Sequence, residues 1–481
     1  MSLDYFSQNR FYGGASYGAK EGLRSAFRFG RNLNIFDDPA GFTINPASAK
    51  DSGSTVTDLI KWIVPGTPHS TSYYFYGDTG KIYQRTSGGT WSVLSTINNS
   101  GGQGLEVHDD YLYYTQDTQI GRYGLLSGSP SFTDNWQTGL DDTSTTNFAP
   151  IKAFQAGLAV GHGNNLAWWD GAVWTLNRLN FPPGFNVRSL EVIDEFLVIG
   201  TWRGTSVTDS EQGIIFFWDG TATTYNFFVE IPEGGVNAVL NSRNRLFSVV
   251  GSSGYLYLNY NPFNKVQRIP KLAIDKYVEV FPGAVTNWKG IVHFGISQTD
   301  SATIEHGVYQ WGATSNAYPE VLNPCAYSLS TGSTTGTTVQ IGSVKGIGDE
   351  LYVGWKDAST YGVDRIVQTA SPFTSAYMEG VILDAGLVAK TKFARDLFAS
   401  HTALASGESV QLGRKVNRAT SFTNATANST VDDKYTRLPI TSGDGQFNEF
   451  EWKVTLGATS TAPTVTEIAL EFDNRSEEKG L

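Results

Sequence analysis

An internal repeat governs which folds are open to this chain. Seven segments share an apolar or aromatic run, a polar turn and a second alternating run that often ends in Trp or Tyr. They begin at Tyr73, Tyr111, Leu158, Phe196, Leu246, Ile291 and Leu351, between 38 and 60 residues apart. Self-similarity with a period of about 20 to 50 residues is typical of solenoids, propellers and arrays.

Most of these segments follow a further short apolar run and a polar turn, as in GLEVHDDYLYY and SLEVIDEFLVIG. Each unit then reads as a four-stranded meander of about 40 to 50 residues, which is the size of a propeller blade. The sequence predicts an all-β fold with a seven-bladed β-propeller over residues 36–372. The long gap between Ile291 and Leu351 leaves six or eight blades open. A β-helix would have shorter coils, and a chain of sandwiches would repeat roughly every 100 residues.

A propeller is often closed by a strand from the other end of the chain, because closure removes exposed edges. The segment GFTINPASA, Gly41–Ala49, lies just before the first repeat. We predict that it supplies this closing strand.

After Pro372 the repeat pattern stops. Strand-length runs such as SVQLGRKV and FNEFEWKVTLG alternate with Ser/Thr/Gly/Asn loops for about a hundred residues. This length and spacing predict a separate β-sandwich over 373–475. Residues 476–481 read as a solvated tail.

The first 35 residues mix glycine with aromatic and basic side chains, and they carry a local positive charge on an acidic protein. They are predicted to form an extended arm, which either packs on its own ring or docks on a neighbouring subunit because its aromatics cannot form a core alone. The candidate docking residues are Phe11, Tyr12, Tyr17, Arg24, Phe27, Arg28, Phe29 and Arg31.

Composition argues against several classes of partner. The net charge of −11 disfavours nucleic acid, whose binding depends on cationic side chains. No apolar run approaches the ~20 residues needed to span a bilayer, and the N-terminus lacks the pattern of a signal peptide. The single Cys325 excludes an internal disulfide and is expected to be a buried apolar residue.

Catalytic signatures are missing from the sequence. The six histidines show no metal-ligand spacing, and there is no nucleophile elbow, phosphate-binding loop or dinucleotide motif. Acidic residues recur at the repeat turns, where they are expected to accept local backbone hydrogen bonds rather than act as catalysts. We therefore predict a non-enzymatic protein without a metal or cofactor.

The aromatic residues have two interpretations. Tryptophans on the third and fourth strands of the repeats are expected to pack between blades: Trp91, Trp169, Trp174, Trp218 and Trp311. Trp168, which alternates to the opposite face from Trp169, has no predicted neighbour. Trp202 and Trp355 end second strands and each precedes a cation, Arg203 and Lys356. These four residues are a candidate exposed rim for binding a sugar or a partner protein, although covering their own loops is an equal alternative.

The leader GRNLNIFDDPAGFTINPASAKDSGSTVTDLIKWIV and the segments YYFYGDTGKIYQRTSGGTWSVL and GLEVHDDYLYYTQDTQIGRYG resemble structural proteins of tailed bacteriophages. AYMEGVILDAG and ALASGESVQLGRKV are similar to the sandwich that those proteins append. The resemblance implies a virion component of the tail or its tip, present in several copies and assembled in the host bacterial cytoplasm. It implies contacts with other virion proteins and with copies of the same chain, and no catalytic residue.

Two further functions remain open at this point. A receptor-binding module would contact a host-surface glycan through the propeller face or the sandwich. A glycan-degrading enzyme is the weaker alternative, since SGGTW from Ser87 and DGAVW from Asp170 resemble only half of the aspartate box of sialidase propellers.

Overall fold

The computed structural model describes most of the chain. The described residues are 3–15, 25–97, 101–141, 148–204, 212–232, 234–251, 255–259, 267–268, 278–298, 305–333, 338–385, 390–441 and 444–473. Their regular secondary structure is β-strand throughout, and this part of the chain contains no helix. A helix long and apolar enough to span a membrane is accordingly not found among them.

The chain divides into two compact units. The repeat unit comprises Ala49–Gly307 and Leu329–Ile366, and the terminal unit comprises Met1–Ser48, Val308–Ser328 and Val367–Leu481. The terminal unit thus includes residues 36–48 and 308–328 of the range predicted for the propeller. Phe42 and Val465, which are far apart in sequence, exchange backbone hydrogen bonds, and this pairing joins residues 36–48 to the C-terminal strands.

Short strands precede the repeats. They are β1 (Leu3–Gln8), β2 (Phe27–Arg31), β3 (Leu33–Asn34), β4 (Thr43–Ile44) and β5 (Ser48–Lys50).

The first five repeats each form a four-stranded antiparallel sheet whose strands pair in sequence order. The first and second sheets are β6 (Ile60–Pro65), β7 (Tyr73–Gly77), β8 (Lys81–Arg85), β9 (Trp91–Thr96), and β10 (Gly104–His108), β11 (Tyr111–Gln116), β12 (Gln119–Gly124), β13 (Ser131–Thr138). The third and fourth are β14 (Ile151–Phe154), β15 (Gly157–His162), β16 (Asn165–Trp169), β17 (Trp174–Asn180), and β18 (Phe185–Ile193), β19 (Phe196–Arg203), β20 (Gln212–Trp218), β21 (Phe227–Ile231). The fifth is β22 (Val236–Ser242), β23 (Arg245–Val250), β24 (Tyr255–Asn259), β25 (Gln267–Arg268).

The last strands of the repeat unit are less uniform. β26 (Val278–Glu279) and β27 (Val285–Trp288) both pair with β28 (Ile291–Gln298). The hairpin of β29 (Gly307–Gly312) and β30 (Val321–Tyr327) falls in the terminal unit. The final sheet has the order β31 (Val339–Ile347), β32 (Glu350–Asp357), β33 (Thr360–Val367), β5.

Turn chemistry explains the hairpins between first and second strands. Asp109, Asp194 and Asn244 adopt left-handed φ angles of 45°, 51° and 64°. Asp and Asn tolerate this region better than most residues because their short side chains bond locally to the backbone. Asp109 and Asp194 thus lie in the repeat turns, where the sequence placed the recurring acidic residues.

The two faces of the third sheet carry different aromatic clusters. Trp168 packs edge-on against Trp218, with ring centroids 5.5 Å apart, and also contacts Phe154 at 5.7 Å. Trp169 points to the opposite face, where it meets Trp136 at 5.3 Å and Trp174 at 6.3 Å. The period of two along a strand separates these neighbouring residues. Trp168, Trp169 and Trp174 therefore all pack against other rings, and the neighbour of Trp168 that the sequence could not predict is Trp218.

A strand from outside the repeats completes the final sheet, as predicted, but the strand is β5 and not the whole of residues 41–49. Thr43 and Ile44 pair with β3 instead. Asp51, just after β5, donates its backbone N–H to Val363 at 2.9 Å. Only three residues, Ser48–Lys50, therefore make the closing strand, which is shorter than the sequence pattern indicated.

The terminal unit contains two larger sheets. Its C-terminal strands are β34 (Ser375–Gly380), β35 (Lys392–His401), β36 (Ser409–Val416), β37 (Thr423–Asn424), β38 (Tyr435–Pro439), β39 (Gln446–Phe447), β40 (Phe450–Gly457) and β41 (Val465–Asp473). One sheet has the order β1-β41-β35-β38 with β39 also on β35, and the other has the order β2-β34-β40-β36-β37. The predicted tail, 476–481, lies outside the described residues.

The predicted N-terminal arm was wrong, because β1 and β2 are edge strands of these two sheets. β1 pairs with β41 from Leu3 with Asp473 to Gln8 with Ile468, and β2 pairs with β34. Neither predicted alternative, packing on the ring or docking on a neighbour, included this strand pairing. Two of the candidate docking residues, Tyr17 and Arg24, lie outside the described residues.

The other candidate docking residues contact the terminal unit itself. Phe11 and Phe27 are buried, and the Phe11 ring meets Phe42 edge-on at 4.8 Å. Arg28 forms an ion pair with the buried Glu451, and Arg31 Nε donates to Ser328 Oγ at 2.9 Å. The remaining two candidates, Tyr12 and Phe29, make ring contacts with Tyr318 and Tyr377. Arg28 and Phe29 thus contact the C-terminal strands, whereas the partners of Phe11, Tyr12 and Arg31 lie in other segments of the same unit.

Candidate functional site: a charged channel in the repeat unit

The first strands of the repeats contact one another in succession. β6 contacts β10, β10 contacts β14, and the series continues through β18, β22, β27 and β31 back to β6. On each of these first strands, one residue pairs with the third residue of the second strand of the same repeat. These residues are Ile63, Glu106, Lys152, Glu191, Leu240, Thr286 and Lys345.

All seven residues line one cavity of about 90 Å³. We call these seven residues the channel ring. Four of them, Glu106, Lys152, Glu191 and Lys345, are ionisable. In the order in which the strands contact one another, the seven residues are Lys345, Ile63, Glu106, Lys152, Glu191, Leu240 and Thr286. The acidic and basic groups are equal in number, so the fully ionised ring is electrically neutral.

Lys152 is the best-paired member of the ring. Its Nζ lies 2.8 Å from Glu191 Oε1, and Glu106 is on β10, the strand that contacts β14 on its other side. Burial acts to lower the pKa of Lys152, but the two carboxylates outweigh it and raise this pKa above its ordinary value. Lys152 is therefore held in its charged form.

The other two charged groups are in a less favourable setting. Burial raises the pKa of the Glu106 carboxyl, which Lys152 and Lys345 offset in part. Burial, aided by the positive charge of Lys152, lowers the pKa of the Lys345 ammonium. A charged group in a low-dielectric site needs a partner, and the ring supplies these two incompletely.

Next to the ring, β-bulges redirect two cations. The strand pairing shifts register around Lys61 on β6 and around Arg188 on β18. A bulge turns one side chain away from the regular alternation. Arg188, with only 1% of its side chain exposed, donates to Glu279 Oε1 at 2.8 Å and to the Asn237 carbonyl at 3.0 Å.

Phe148 covers both cations. Its ring centroid is 4.2 Å from Arg188 Cζ and 5.6 Å from Lys61 Nζ. Burial lowers the pKa of Lys61. The backbone of Gly283 approaches closely here, since a Cβ on it would lie 2.0 Å from the Lys61 carbonyl oxygen. A larger residue at 283 would therefore displace the strand that carries Lys61.

The predicted aromatic rim was wrong. Only 3% of Trp202 and 1% of Trp355 is exposed. The Trp355 indole N–H donates to Asp364 Oδ1 at 2.6 Å, and Lys50 Nζ lies 5.4 Å from its ring. The sequence placed both residues correctly at the ends of second strands, but neighbouring residues cover them. Neither tryptophan is available to a partner.

The two cations of the predicted rim rest on other aromatic rings. Arg203 is exposed and its Cζ lies 5.7 Å from the Phe185 ring, while Lys356 Nζ lies 5.4 Å from the Tyr361 ring. Arg203 lies on β19 of the fourth sheet and Lys356 on β32 of the final sheet, so each belongs to a different repeat.

Sequence reasoning overlooked the channel ring, although a signal for it was present. Glu106 and Glu191 occupy the same place in GLEVHDDY and SLEVIDEF, each between apolar residues. The alternation of side chains along a strand shows that such a residue points away from the apolar face of the sheet. It does not show whether that side faces bulk solvent or a channel.

The described residues contain no cluster of three or more His, Cys, Asp or Glu side chains that could hold a metal ion.

The geometry defines an all-β protein with repeated four-stranded antiparallel sheets, consistent with a propeller. No protein-family model matches the chain, and no curated protein matches it. The solved structures that match include YCF48 from Cyanidioschyzon merolae. That match has a TM-score of 0.45 and 9% sequence identity, and it covers 67% of this chain and 99% of that chain.

Proposed function

We propose that the chain combines a seven-bladed β-propeller with a C-terminal β-sandwich. The succession of contacts from β6 through β31 and back to β6 supports the blade count. The two sheets of the terminal unit, with β1 and β2 added as edge strands, support the sandwich.

We further propose that the protein is a non-enzymatic structural component of a tailed-phage virion, in the tail or its tip. The placement rests on the resemblance of the leader and of the first repeats. The observation that supports an assembly role is the outer edge of the repeat unit, where apolar side chains are exposed next to strands that pair on one side only.

These outermost strands are open along one edge in the described chain. β9, β17 and β21 each end the order of their sheets. Val93 on β9 is 48% exposed, Val173 just before β17 is 63% exposed, and Phe228 on β21 is 47% exposed. Free strand edges and exposed apolar residues are the features by which β-proteins pair with other chains. We propose that copies of this chain or other virion proteins bind along this edge.

A triple variant tests the assembly role. In Val93→Lys/Val173→Lys/Phe228→Lys, three charges must be desolvated when a partner binds, so the chain should no longer band with phage particles on a density gradient. The melting temperature should change little, because the replaced side chains face solvent. Immunoblotting of the gradient fractions gives the readout.

Val431→Lys is the matched control, since Val431 is 53% exposed but lies in the terminal unit. It should band with particles as the wild type does. Wild-type protein that is missing from particles would contradict the virion proposal itself. Normal banding of the triple variant would contradict only the proposed edge.

A cavity in the terminal unit favours host-surface glycan as a second candidate ligand. It measures about 380 Å³ and is lined mainly by hydrogen-bonding side chains, namely Arg414, Lys415, Ser421, Thr423, Asp444 and Gln446. Arg414 donates to the Asp444 carbonyl, while its Nε is buried without a hydrogen-bond partner among the described residues. Planar polar groups and hydroxyls of this kind suit the adjacent hydroxyls of a sugar.

The glycan proposal predicts that Arg414→Ala and Gln446→Ala each weaken binding of the purified chain to host-surface polysaccharide at least tenfold. Arg437→Ala is the control, because Arg437 also pairs with a carboxylate, Asp396 at 2.7 Å, in the other sheet of the unit. Surface plasmon resonance on immobilised polysaccharide measures the change. If Arg414→Ala and Gln446→Ala bound the polysaccharide as tightly as the control Arg437→Ala, this cavity would not be the glycan site.

A further inference from the structure

Two charged groups of the channel ring keep hydrogen-bonding capacity to spare. Lys345 lines the cavity and makes no hydrogen bond to any residue in the described part of the chain. The Glu106 carboxylate lies near the backbone N–H of Val107, which can occupy only one of the several lone pairs of a carboxylate. Lys152 and Glu191, by contrast, already form an ion pair, with 2.8 Å between Nζ and Oε1. The cavity therefore offers a ligand the Lys345 ammonium as a donor and the Glu106 carboxylate as an acceptor.

The charges of the ring are also divided between two sides. Glu106, Lys152 and Glu191 lie on the consecutive strands β10, β14 and β18 and carry a net charge of −1. Lys345 lies on β31, between Thr286 on β27 and Ile63 on β6. The ring is neutral as a whole but dipolar across the channel.

This charge pattern discriminates between classes of ligand. A simple anion beside Lys345 would leave the ring with net negative charge, and a simple cation beside Glu106 would leave it positive. An uncompensated charge costs free energy in a partly buried site. A small molecule that carries both charges adds none, and it can accept a hydrogen bond from Lys345 while donating one to Glu106.

The rest of the cavity limits the size of such a molecule. Trp62 and Leu240 contribute apolar walls, and the volume of about 90 Å³ has room only for a very small ligand. A cavity with polar groups on opposite sides and apolar walls between them is suited to a compact dipolar solute.

We propose that the channel ring binds a small zwitterion of the amino-acid type, with its carboxylate on Lys345 and its ammonium group on Glu106. This site goes beyond the assembly role and does not depend on it. Glycine is the probe that fits the volume.

Thermal unfolding of the full chain at constant ionic strength tests the proposal. Glycine should raise the Tm saturably by several degrees, because a ligand that binds only the folded state stabilises it by mass action. Acetate and methylammonium, which carry one charge each, should have no saturable effect. Lys345→Met and Glu106→Gln should each lower the apparent glycine affinity at least tenfold. Lys289→Met, at a lysine that pairs with Asp349 on an exposed turn, should leave it unchanged.

Several results would overturn the proposal. A purely linear response to glycine, shared by the wild type and both ring variants, would mean general solute exclusion with only water in the channel. A saturable response to acetate would indicate an anion site at Lys345 instead. If a ring variant fails to fold, equilibrium dialysis of the wild-type chain against radiolabelled glycine decides the question. About one glycine retained per chain supports the site, and none retained excludes it.

Discussion

Asp51→Ala should lower the free energy of unfolding of the repeat unit by about 3 to 5 kcal/mol, the range for removing one partner of a buried ion pair. Asp51 follows the closing strand β5 and accepts hydrogen bonds from Arg85 Nε at 2.5 Å and from the Trp91 indole at 2.9 Å. Both Arg85 and Trp91 belong to the first sheet. The carboxylate thus links the closing strand of the last sheet to the first sheet, and its loss leaves the buried Arg85 without the carboxylate to which it donates hydrogen bonds. Urea unfolding followed by tryptophan fluorescence measures the change.

The effect of this substitution should depend on pH. Burial acts to raise the pKa of Asp51, but the hydrogen bonds from Arg85 and Trp91 outweigh it and hold this pKa below its usual range. A carboxyl whose pKa is depressed by folding stabilises the protein fully above its unfolded pKa of about 3.9. The stabilisation is lost as the pH falls through the lower, folded pKa. The difference between wild type and Asp51→Ala should be constant above about pH 5 and should shrink below about pH 4.

Asp349→Ala provides the control for Asp51. Asp349 pairs with Lys289 at 3.0 Å, but its side chain is 87% exposed. An exposed pair contributes only about 0 to 1 kcal/mol, so this variant should unfold almost as the wild type does. A loss at Asp349 as large as the loss at Asp51 would mean that closure of the last sheet is not what Asp51 stabilises.

Trp355→Ala should lower the free energy of unfolding by a similar amount, about 3 to 5 kcal/mol, because it empties the space of a fully buried indole. It also removes the N–H that donates to Asp364, a buried carboxylate that otherwise accepts from the Ser330 N–H at 2.7 Å. Trp355→Phe should have a smaller effect, since it keeps part of the packing and loses the hydrogen bond. Differential scanning calorimetry of the variants gives the comparison.

Phe228→Ala is the aromatic control for Trp355. Phe228 is 47% exposed and its ring lies 6.1 Å from Phe216 and 5.9 Å from Tyr225, so its removal should lower the free energy of unfolding by about 1 kcal/mol, well below the loss at Trp355. If Trp355→Ala instead left stability unchanged and weakened binding to a partner, the result would support the exposed binding rim predicted from the sequence.

Local sequence was sufficient to place most strands of the repeats. The seven repeated segments correspond to the second strands β7, β11, β15, β19, β23, β28 and β32 with the strands around them. The alternation of apolar and polar residues and the turn residues Asp109 and Asp194 act over a few positions, so a short window contains the whole signal. Cys325 was likewise expected to be buried, and it is.

Pairing between distant segments was beyond the reach of the same reasoning. β1 is an edge strand on β41 although more than 450 residues separate Tyr5 from its partner Glu471. An edge strand exposes the same backbone donors and acceptors to any partner, and its own residues do not name the strand that will use them. The sequence therefore predicted an extended arm, packed on its own ring or docked on a neighbouring subunit, in place of an edge strand.

The sequence by itself determined the strands, their turns and the recurrence that predicts a propeller, because these depend on backbone geometry and on the period of two. Tertiary structure alone decided which side chains are covered and which charges meet. Trp355 is buried because Asp364 and Lys50 close around it, and Glu106, Lys152, Glu191 and Lys345 form one ring because seven separate strands converge on a single channel. Burial and electrostatic pairing are properties of groups brought together in space, and no local window of the chain contains them.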